Sequence, residues 1–389
     1  MEKNIFNGIP SIKLDNDPIL TIVIGCYNTP QFRMKRLLQS IYNTGVNDII
    51  EVNLVDDHSK DLSYIDVVNT FRDKMCIRLF EVPEDHWHGP GASRQLGVDN
   101  ARGKFLMISD HDDEFIPDGL RAAVNFINSD DGKDALYIVT NFYMVSENGE
   151  RVIRQHRGLN SWNHAKIYNI EKLWKPYNIH FYDNMMSHED ICISSQVTCA
   201  MSHMNQTPVE LDIYTYKWYH NEDSASNKKM PIEFNGTIYH VPYIFTWFDD
   251  YLHSTLDVYI DFDKRGLTNH GRMLYQSMQI ISYAYFYLES MISEFPFEMC
   301  IDNYNHCINA YNRAKDQFGN VGFSTKSIYD WLNDTNAYNW DIVEANTKVA
   351  TSAFIKRETF AQYLYNLETG SIHIFTNDDF TKFTNMLYS

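Results

Sequence analysis

Four carboxylates stand within residues 110–114 of this sequence: Asp110, Asp112, Asp113 and Glu114. They follow the apolar run Phe105–Ile108, which has the length and composition of a strand buried on both faces. Carboxylates held this closely repel one another, so a cation would lower the cost of keeping them together. Oxygen ligands suit Mg²⁺ and Mn²⁺, and magnesium typically binds one or two carboxylates together with substrate phosphates. The stretch therefore predicts a divalent metal site, or else an ordinary acidic turn after a strand.

The elements around this stretch alternate between strand and helix. Apolar runs and helical spacing predict strands at 19–25, 51–55, 77–82 and 105–108, and helices at 32–41 and 62–74. This alternation predicts an α/β domain in which a largely parallel sheet is flanked by helices. In such sheets, ligands bind beyond the carboxyl ends of the strands.

Polar residues follow three of the predicted strands at that edge. They are Tyr27 and Asn28, Asp56 and Asp57, and Asp110 with Asp112. Capping of the next helix would account for one such set. Three sets at the same edge favour a shared ligand site.

The segment 86–94, HWHGPGASR, leads into another predicted helix. Its glycines lack the spacing of a phosphate-binding loop, because Arg94 stands where G-x-G-x-x-G needs a glycine. They predict instead a tight turn into a helix whose N-terminus can face an anion. Arg94 would then contact an anionic ligand or close a structural salt bridge.

Three stretches together resemble the family 2 glycosyltransferases, which have the GT-A fold. The stretches are TIVIGCYN from residue 21, VDDHSKD from residue 55, and GPGASRQLGVDNARGKFLMISDHDD from residue 89. The resemblance implies a nucleotide-diphospho-sugar donor bound with Mn²⁺ or Mg²⁺. It extends over about residues 18–228.

The resemblance also implies roles for the residues at the strand ends. Asp57, with Asp56 beside it, would hold the nucleotide base, Asp110 would face the ribose, and Asp112 would coordinate the metal that bridges the diphosphate. The implied nucleotide-sugar-binding set is Tyr27, Asn28, Asp56, Asp57, Arg94 and Asp110.

The segment Ser187-His188-Glu189-Asp190 precedes an apolar stretch. Ser-x-x-Asp predicts a helix start of the capping-box type, with the acids near the positive end of the helix dipole. The family resemblance implies that Asp190 is the catalytic general base, with Glu189 as the alternative. A metalloprotease is excluded, because Cys192 stands where H-E-x-x-H needs its second histidine.

Two further segments carry candidate ligands. Residues 214–226 resemble the strand and polar loop that close many family 2 catalytic domains over the donor. There, His220 would be a further metal ligand, a phosphate contact or a histidine hydrogen-bonded within the fold. A basic segment predicts either a solvated strand face or an acceptor contact: Arg151, Arg154, His156 and Arg157.

The predicted organisation has three parts. They are an N-terminal arm at 1–17, a GT-A catalytic domain at 18–230, and an appended, mostly α-helical domain at 231–389. We expect the last part to shape the acceptor site or to form a homo-oligomer. Its helices are predicted at about 243–262, 271–295, 303–318, 326–333 and 351–367.

Composition restricts the possible partners and compartment. The formal net charge is −18, and no run of Lys and Arg occurs, which argues against capture of nucleic acid or anionic membrane over the whole surface. The N-terminus lacks the apolar core of a signal peptide, and no stretch is long and apolar enough to span a bilayer, so we expect a soluble cytoplasmic protein. The six cysteines form no CxxC pair and are expected to be reduced core residues.

These observations predict an inverting, metal-dependent glycosyltransferase. It would move a sugar from a nucleotide-diphospho-sugar, with UDP as the expected nucleotide, to an acceptor hydroxyl. The acceptor would be a saccharide or, as an alternative, a hydroxylated base in DNA, for which the net charge requires a local basic face. Two other classes stay open: a nucleotidyltransferase of related fold and a non-catalytic nucleotide-sugar binding module.

Overall fold

The computed structural model describes residues 7–156, 158, 162–182, 185–220, 228–268 and 294–318, with isolated residues between 273 and 291. The chain divides into two compact units, Met1–Thr268 and Asn269–Ser389. The first unit contains the sheet and the candidate site. The domain boundary that we expect after residue 230 stays a prediction.

The described residues of the first unit form a sheet of nine strands. The strands are β1 (Leu20–Cys26), β2 (Ile50–Asp56), β3 (Cys76–Glu81), β4 (Phe105–Asp110), β5 (Glu114–Phe115), β6 (Tyr137–Ser146), β7 (Val152–His156), β8 (Lys166–Asn169) and β9 (Val209–His220). Their order across the sheet is β3-β2-β1-β4-β8-β6-β9-β5, and β7 pairs with β6.

One half of the sheet is parallel. β1 lies between β2 and β4, and β2 pairs with β3, all in parallel register. β2 is buried along its whole length, as expected for a strand covered by helices on both faces. The carboxyl ends of β1, β2 and β4 therefore meet at one edge, which confirms the predicted α/β fold.

The other half of the sheet is mixed rather than parallel. β8 runs antiparallel between β4 and β6, β6 and β7 form an antiparallel hairpin, and β9 runs parallel to β6. The hairpin follows from its short connection, because parallel neighbours need a crossover of about a dozen residues or more. Residues 147–150 lie in this connection, with Gly149 at φ 73°.

The described residues of the first unit also form helices. They are α1 (Gln31–Tyr42), α2 (Tyr64–Asn69), α3 (Pro90–Asp99), α4 (Pro117–Ile127), α5 (Glu189–His203), α6 (Tyr243–Thr246) and α7 (Thr255–Lys264), with π-helical turns at Ile170–Trp174 and Asp250–Ser254. α1 buries Met34, Leu37, Leu38 and Ile41, which recur at helical spacing and form one apolar stripe.

Helix α3 approaches the sheet more closely than an ordinary side chain would allow. A Cβ added to Gly97 would stand 2.4 Å from a methyl group of Val23 on β1. Glycine at this position therefore lets α3 lie directly on the sheet. This contact sets the position of Arg94, one turn earlier on the same helix.

The remaining described elements are a hairpin and a helix. Strands β10 (Lys229–Phe234) and β11 (Thr237–Pro242) form a separate two-stranded antiparallel sheet, and α8 (Phe297–Phe318) belongs to the second unit. The helices predicted at 326–333 and 351–367 lie outside the described residues. Among the cysteines whose side chains the structure describes, all five are buried and none forms a disulfide. Within the described part of the chain, no helix is long and apolar enough to cross a membrane.

Candidate active site

Asn28 connects the ends of β1 and β2. It has a left-handed backbone, with φ 46°, and its N–H donates to Ser59 Oγ at 2.8 Å. Its side-chain oxygen accepts the N–H groups of Lys60 at 2.8 Å and Asp61 at 3.2 Å. Asn28 therefore holds the turn that follows β2, while the neighbouring Tyr27 is exposed.

Asp56 lies beneath the same turn and is buried. One carboxylate oxygen accepts the Ser59 N–H at 2.8 Å, and the other accepts the Tyr64 hydroxyl at 2.7 Å. Both oxygens thus bond within the protein and support the turn, and a role of Asp56 in nucleotide binding stays a prediction.

Asp57 points from the end of β2 to the start of α3. Its two carboxylate oxygens meet His88 Nδ1 at 3.0 Å and the Gly89 N–H at 2.7 Å. Gly89 has φ 135°, a conformation that favours glycine, and this turn aims its N–H at the carboxylate. Asp57 is thus fixed by the segment that carries Arg94.

Arg94 joins two acids that are distant in sequence. Its buried guanidinium donates to Asp110, at the end of β4, and to Glu189, the first residue of α5. Burial pushes the pKa of Asp110 up, but Arg94 and His164 outweigh it and hold that pKa below its ordinary value. Arg94 thus closes a salt bridge, and its contact with an anionic ligand stays a prediction.

A three-residue group stands next to this ion pair. Asp110, Asp113 and His164 each offer a ligating atom, and these atoms lie within 4.8 Å of one another. Asp113 accepts the Tyr216 hydroxyl and the Tyr219 N–H, both at 2.8 Å. Burial, Asp112 and Asp110 raise the pKa of Asp113 well above its ordinary value.

This group fits a divalent cation. Ligands on opposite sides of Mg²⁺ are about 4.2 Å apart, because each bond is about 2.1 Å long, and the three ligating atoms all lie within 4.8 Å of one another. Burial lowers the pKa of His164 to about 4, although Asp110 counteracts it, so the imidazole is neutral near pH 7 and keeps a lone pair. A cation here would also relieve the repulsion that raises the pKa of Asp113.

The two sequence-predicted metal ligands lie differently. Asp112 follows β4, with its carboxylate 3.9 Å from Arg33 and its carbonyl accepting a hydrogen bond from Arg36. Asp112 contributes to the field at His164 and Asp113 without belonging to the three-residue group. His220 is exposed at the end of β9, next to residues 221–227, which are outside the described set. Its role stays a prediction.

Helix α5 begins at Glu189, but not by the predicted capping box. The residue before the helix is His188, with φ 58°, and no side chain caps the helix there. Ser187 Oγ instead meets His188 Nδ1 at 2.8 Å. The left-handed turn at His188 reverses the chain, so Ser187 is too far out of line to cap the helix. Asp250 holds this approach by accepting the N–H groups of Met186 at 2.6 Å and Ser187 at 3.2 Å.

Asp190 lies in the first turn of α5, where ionisation of its carboxyl group is unfavourable. Burial and the neighbouring Glu189 raise its pKa to about 7. Lys166, on β8, lies near enough to stabilise the charged carboxylate. Burial lowers the pKa of Lys166 to about 7, although Asp190 counteracts it. A carboxyl with a pKa near neutrality can accept a proton from a bound hydroxyl.

Sequence reasoning missed two members of this site as functional residues. His164 and Lys166 flank the start of β8, a short strand whose neighbours in the sheet are β4 and β6. No local pattern marks either residue. The signal that could have found them is the pairing of β8 beside β4, which needs the tertiary fold.

Comparison with known families identifies the matched segment. Residues 21–188 match the family described as glycosyl transferase family 2. This confirms the resemblance carried by the motifs: the segment is a family 2 glycosyltransferase domain. The match begins in β1 and ends one residue before α5.

Curated relatives give the same class. An uncharacterized glycosyltransferase of Haemophilus influenzae is 32% identical over 113 residues, which cover 29% of this chain and 43% of that protein. The succinoglycan biosynthesis protein ExoO of Rhizobium meliloti is 29% identical over 163 residues, covering 42% of each chain. The chain thus spans under half the length of these relatives.

Solved structures of S. aureus TarS are also similar. A structure of TarS residues 1–349 in complex with UDP-GlcNAc is 17% identical, with a TM-score of 0.47 over 88% of this chain and 86% of that one. A second structure of TarS residues 1–349 covers 92% of this chain and 93% of the other, with 15% identity and a TM-score of 0.46.

Proposed function

We propose that this protein is an inverting glycosyltransferase that moves a sugar from a nucleotide-diphospho-sugar to an acceptor hydroxyl. The observation that carries the proposal is the bridge formed by Arg94. It joins Asp110, on the side implied for the donor, to Glu189, beside the implied general base. Donor and base would therefore meet at one place, as a displacement at the anomeric carbon requires.

In this reaction Asp190 would act as the general base. It would take the proton of the acceptor hydroxyl while the oxygen attacks the anomeric carbon from the face opposite the leaving nucleotide. A single displacement of this kind inverts the anomeric configuration. Support comes from the pKa of about 7, which lets the carboxylate be ionised and still basic near neutral pH.

On the donor side, Asp57 would accept a hydrogen bond from the base, and UDP is the nucleotide that we propose. Its carboxylate is already oriented by the Gly89 N–H. Asp110 would face the ribose. Helix α3 presents its N-terminus near the same edge, where it favours an anionic group.

We propose that the site takes Mn²⁺ or Mg²⁺. Asp110, Asp113 and His164 would hold the ion, with Asp112 as the further ligand that the family pattern implies. The ion would neutralise the charge that develops on the leaving diphosphate. The surrounding residues orient the ligands: Tyr216 bonds to Asp113, and Arg94 bonds to Asp110.

The substitution Asp190→Asn tests the proposal. General-base catalysis contributes roughly 10²–10⁴-fold, so donor turnover with Mn²⁺ should fall by that factor. UDP binding, measured by calorimetry, should stay near that of the wild type, because Asp190 lies on the acceptor side. Asp130→Asn is the matched control, since Asp130 is exposed beyond α4. Equal turnover by the two variants would remove Asp190 from the mechanism.

The released product separates this function from its alternative. A glycosyltransferase releases a nucleoside diphosphate, whereas a nucleotidyltransferase releases pyrophosphate. A screen of nucleotide sugars with Mn²⁺, with the released nucleotide identified by chromatography, would distinguish the two and identify the preferred sugar. Pyrophosphate as the product would overturn the proposal.

A further inference from the structure

Two large aromatic side chains stand exposed near the Asp57 carboxylate. Tyr27, directly after β1, is 54% exposed, and Trp87, between β3 and α3, is 51% exposed. In the part of the chain that the structure describes, no ring contact involves either side chain. A single exposed aromatic residue is common, so the argument depends on what holds these two in place.

Trp87 is tethered to Asp57 by the two residues that follow it. His88 Nδ1 lies 3.0 Å from one carboxylate oxygen, and the Gly89 N–H donates to the other at 2.7 Å. The edge of His58 packs on the His88 ring, with centroids 4.5 Å apart. Consecutive Cα atoms are about 3.8 Å apart, so Trp87 cannot move far from the carboxylate while these bonds persist.

Tyr27 is tethered from the opposite side. The N–H of Asp57 donates to the carbonyl of Cys26 at 2.9 Å, and Cys26 is the residue before Tyr27. Asp57 therefore lies between two chain segments, each of which presents an exposed aromatic ring. Its side chain is 12% exposed, and its two bonds leave some of the roughly four lone-pair positions of a carboxylate available.

Two exposed rings, each on a chain segment bonded to the same acceptor carboxylate, match the chemistry of a planar nucleobase. Such a base stacks on aromatic faces and donates a ring N–H to the carboxylate. We propose that Trp87 is a base-stacking residue of the donor site, forming the wall opposite Tyr27 around the base bound by Asp57. This inference rests on the proposed function, in which Asp57 binds the base. It adds a specificity-determining residue outside the predicted site set.

The test compares nucleotide binding by variants of residue 87. Calorimetric titrations with UDP, dTDP and GDP, and separately with inorganic pyrophosphate, are made with Mn²⁺ present. Base stacking on an aromatic ring is worth about 1–3 kcal/mol, so Trp87→Ala should weaken the best nucleotide roughly 5- to 100-fold. Trp87→Phe should recover most of that loss. Ile238→Ala, which removes another exposed apolar side chain on β11, should change nothing.

Pyrophosphate distinguishes stacking from a general disturbance of the loop. It contains no base, so its affinity should be the same in wild type and Trp87→Ala. An equal loss for nucleotide and pyrophosphate would overturn the stacking role, and so would unchanged nucleotide affinity in Trp87→Ala. If the wild type binds none of the three nucleotides, the proposed function fails as well, so the two failures are told apart by the wild-type titration.

Discussion

Two groups of acids occupy the same edge of the sheet; members of both accept hydrogen bonds, but only the second group has raised pKa values. Asp56 and Asp57, after β2, accept hydrogen bonds from N–H groups, a hydroxyl and an imidazole. Asp113 and Asp190, near the end of β4 and at the start of α5, are buried beside other acids, and their pKa values are raised.

Because of this difference, one group of acids suits ligand binding and the other suits chemistry. A carboxylate already surrounded by hydrogen-bond donors is fixed in orientation, which suits a receptor for a base. A carboxyl whose charge is costly gains when it accepts a proton or a cation, which suits a general base or a metal ligand. Arg94 lies at the junction, because its helix starts beside Asp57 and its guanidinium reaches Asp110 and Glu189.

The largest effect should come from breaking that junction. Arg94→Met would leave the partly buried Asp110 and Glu189 without their buried cation, and breaking a buried ion pair costs about 3–5 kcal/mol. We expect the free energy of unfolding, measured with urea, to fall by about that amount at pH 7. Arg121→Met, which removes an exposed pair with Asp118, should cost under about 1 kcal/mol and is the control. Equal losses would contradict the special position of Arg94.

The next effect concerns Asp190, in the group with raised pKa values, and its size should depend on pH. The pKa of Asp190 is about 7 in the folded protein, above its ordinary value of 3.8, so ionisation destabilises the fold as pH rises between these values. Asp190→Asn removes that cost. Its free energy of unfolding should equal that of the wild type near pH 4 and exceed it by on the order of 3 kcal/mol above pH 7. A gain that does not change with pH would contradict the assignment.

The smallest effect on stability should come from a substitution beside Asp56, in the first group of acids. Tyr64→Phe removes one donor from buried Asp56, and an unsatisfied buried acceptor costs about 1–3 kcal/mol. Asp56 keeps its bond to Ser59, so we expect the lower end of that range in thermal or urea unfolding. Tyr42→Phe, at a position 37% exposed, serves as the control and should be neutral.

The sequence predicts the parallel half of the sheet well and the mixed half poorly. β1, β2 and β4 are continuous apolar runs, so their type and shared edge follow from local composition. β8 is a strand of four residues without a periodic signal, and only its pairing with β4 brings His164 and Lys166 to the site.

The same limit applies to individual site residues. Asp57 and Asp110 could be placed at the edge because each directly follows or ends a predicted strand. The engagement of Asp56 by Tyr64 could not be foreseen, because hydrogen bonding beneath a turn depends on how the next helix packs. The capping box at Ser187 was wrong for a related reason: the left-handed turn at His188 takes precedence over the local pattern.

Asp250, much later in the chain, holds the segment that leads into α5. It lies in the π-helical turn before α7, well beyond the family match, which ends at residue 188. Its carboxylate nevertheless accepts the backbone N–H groups of Met186 and Ser187, just ahead of the acids that begin α5. The matched segment thus receives additional support at this edge from a residue outside it. A shortened chain that stops after β9 would keep every strand of the main sheet but lose these two hydrogen bonds ahead of Glu189 and Asp190, so the later elements help to support the proposed site.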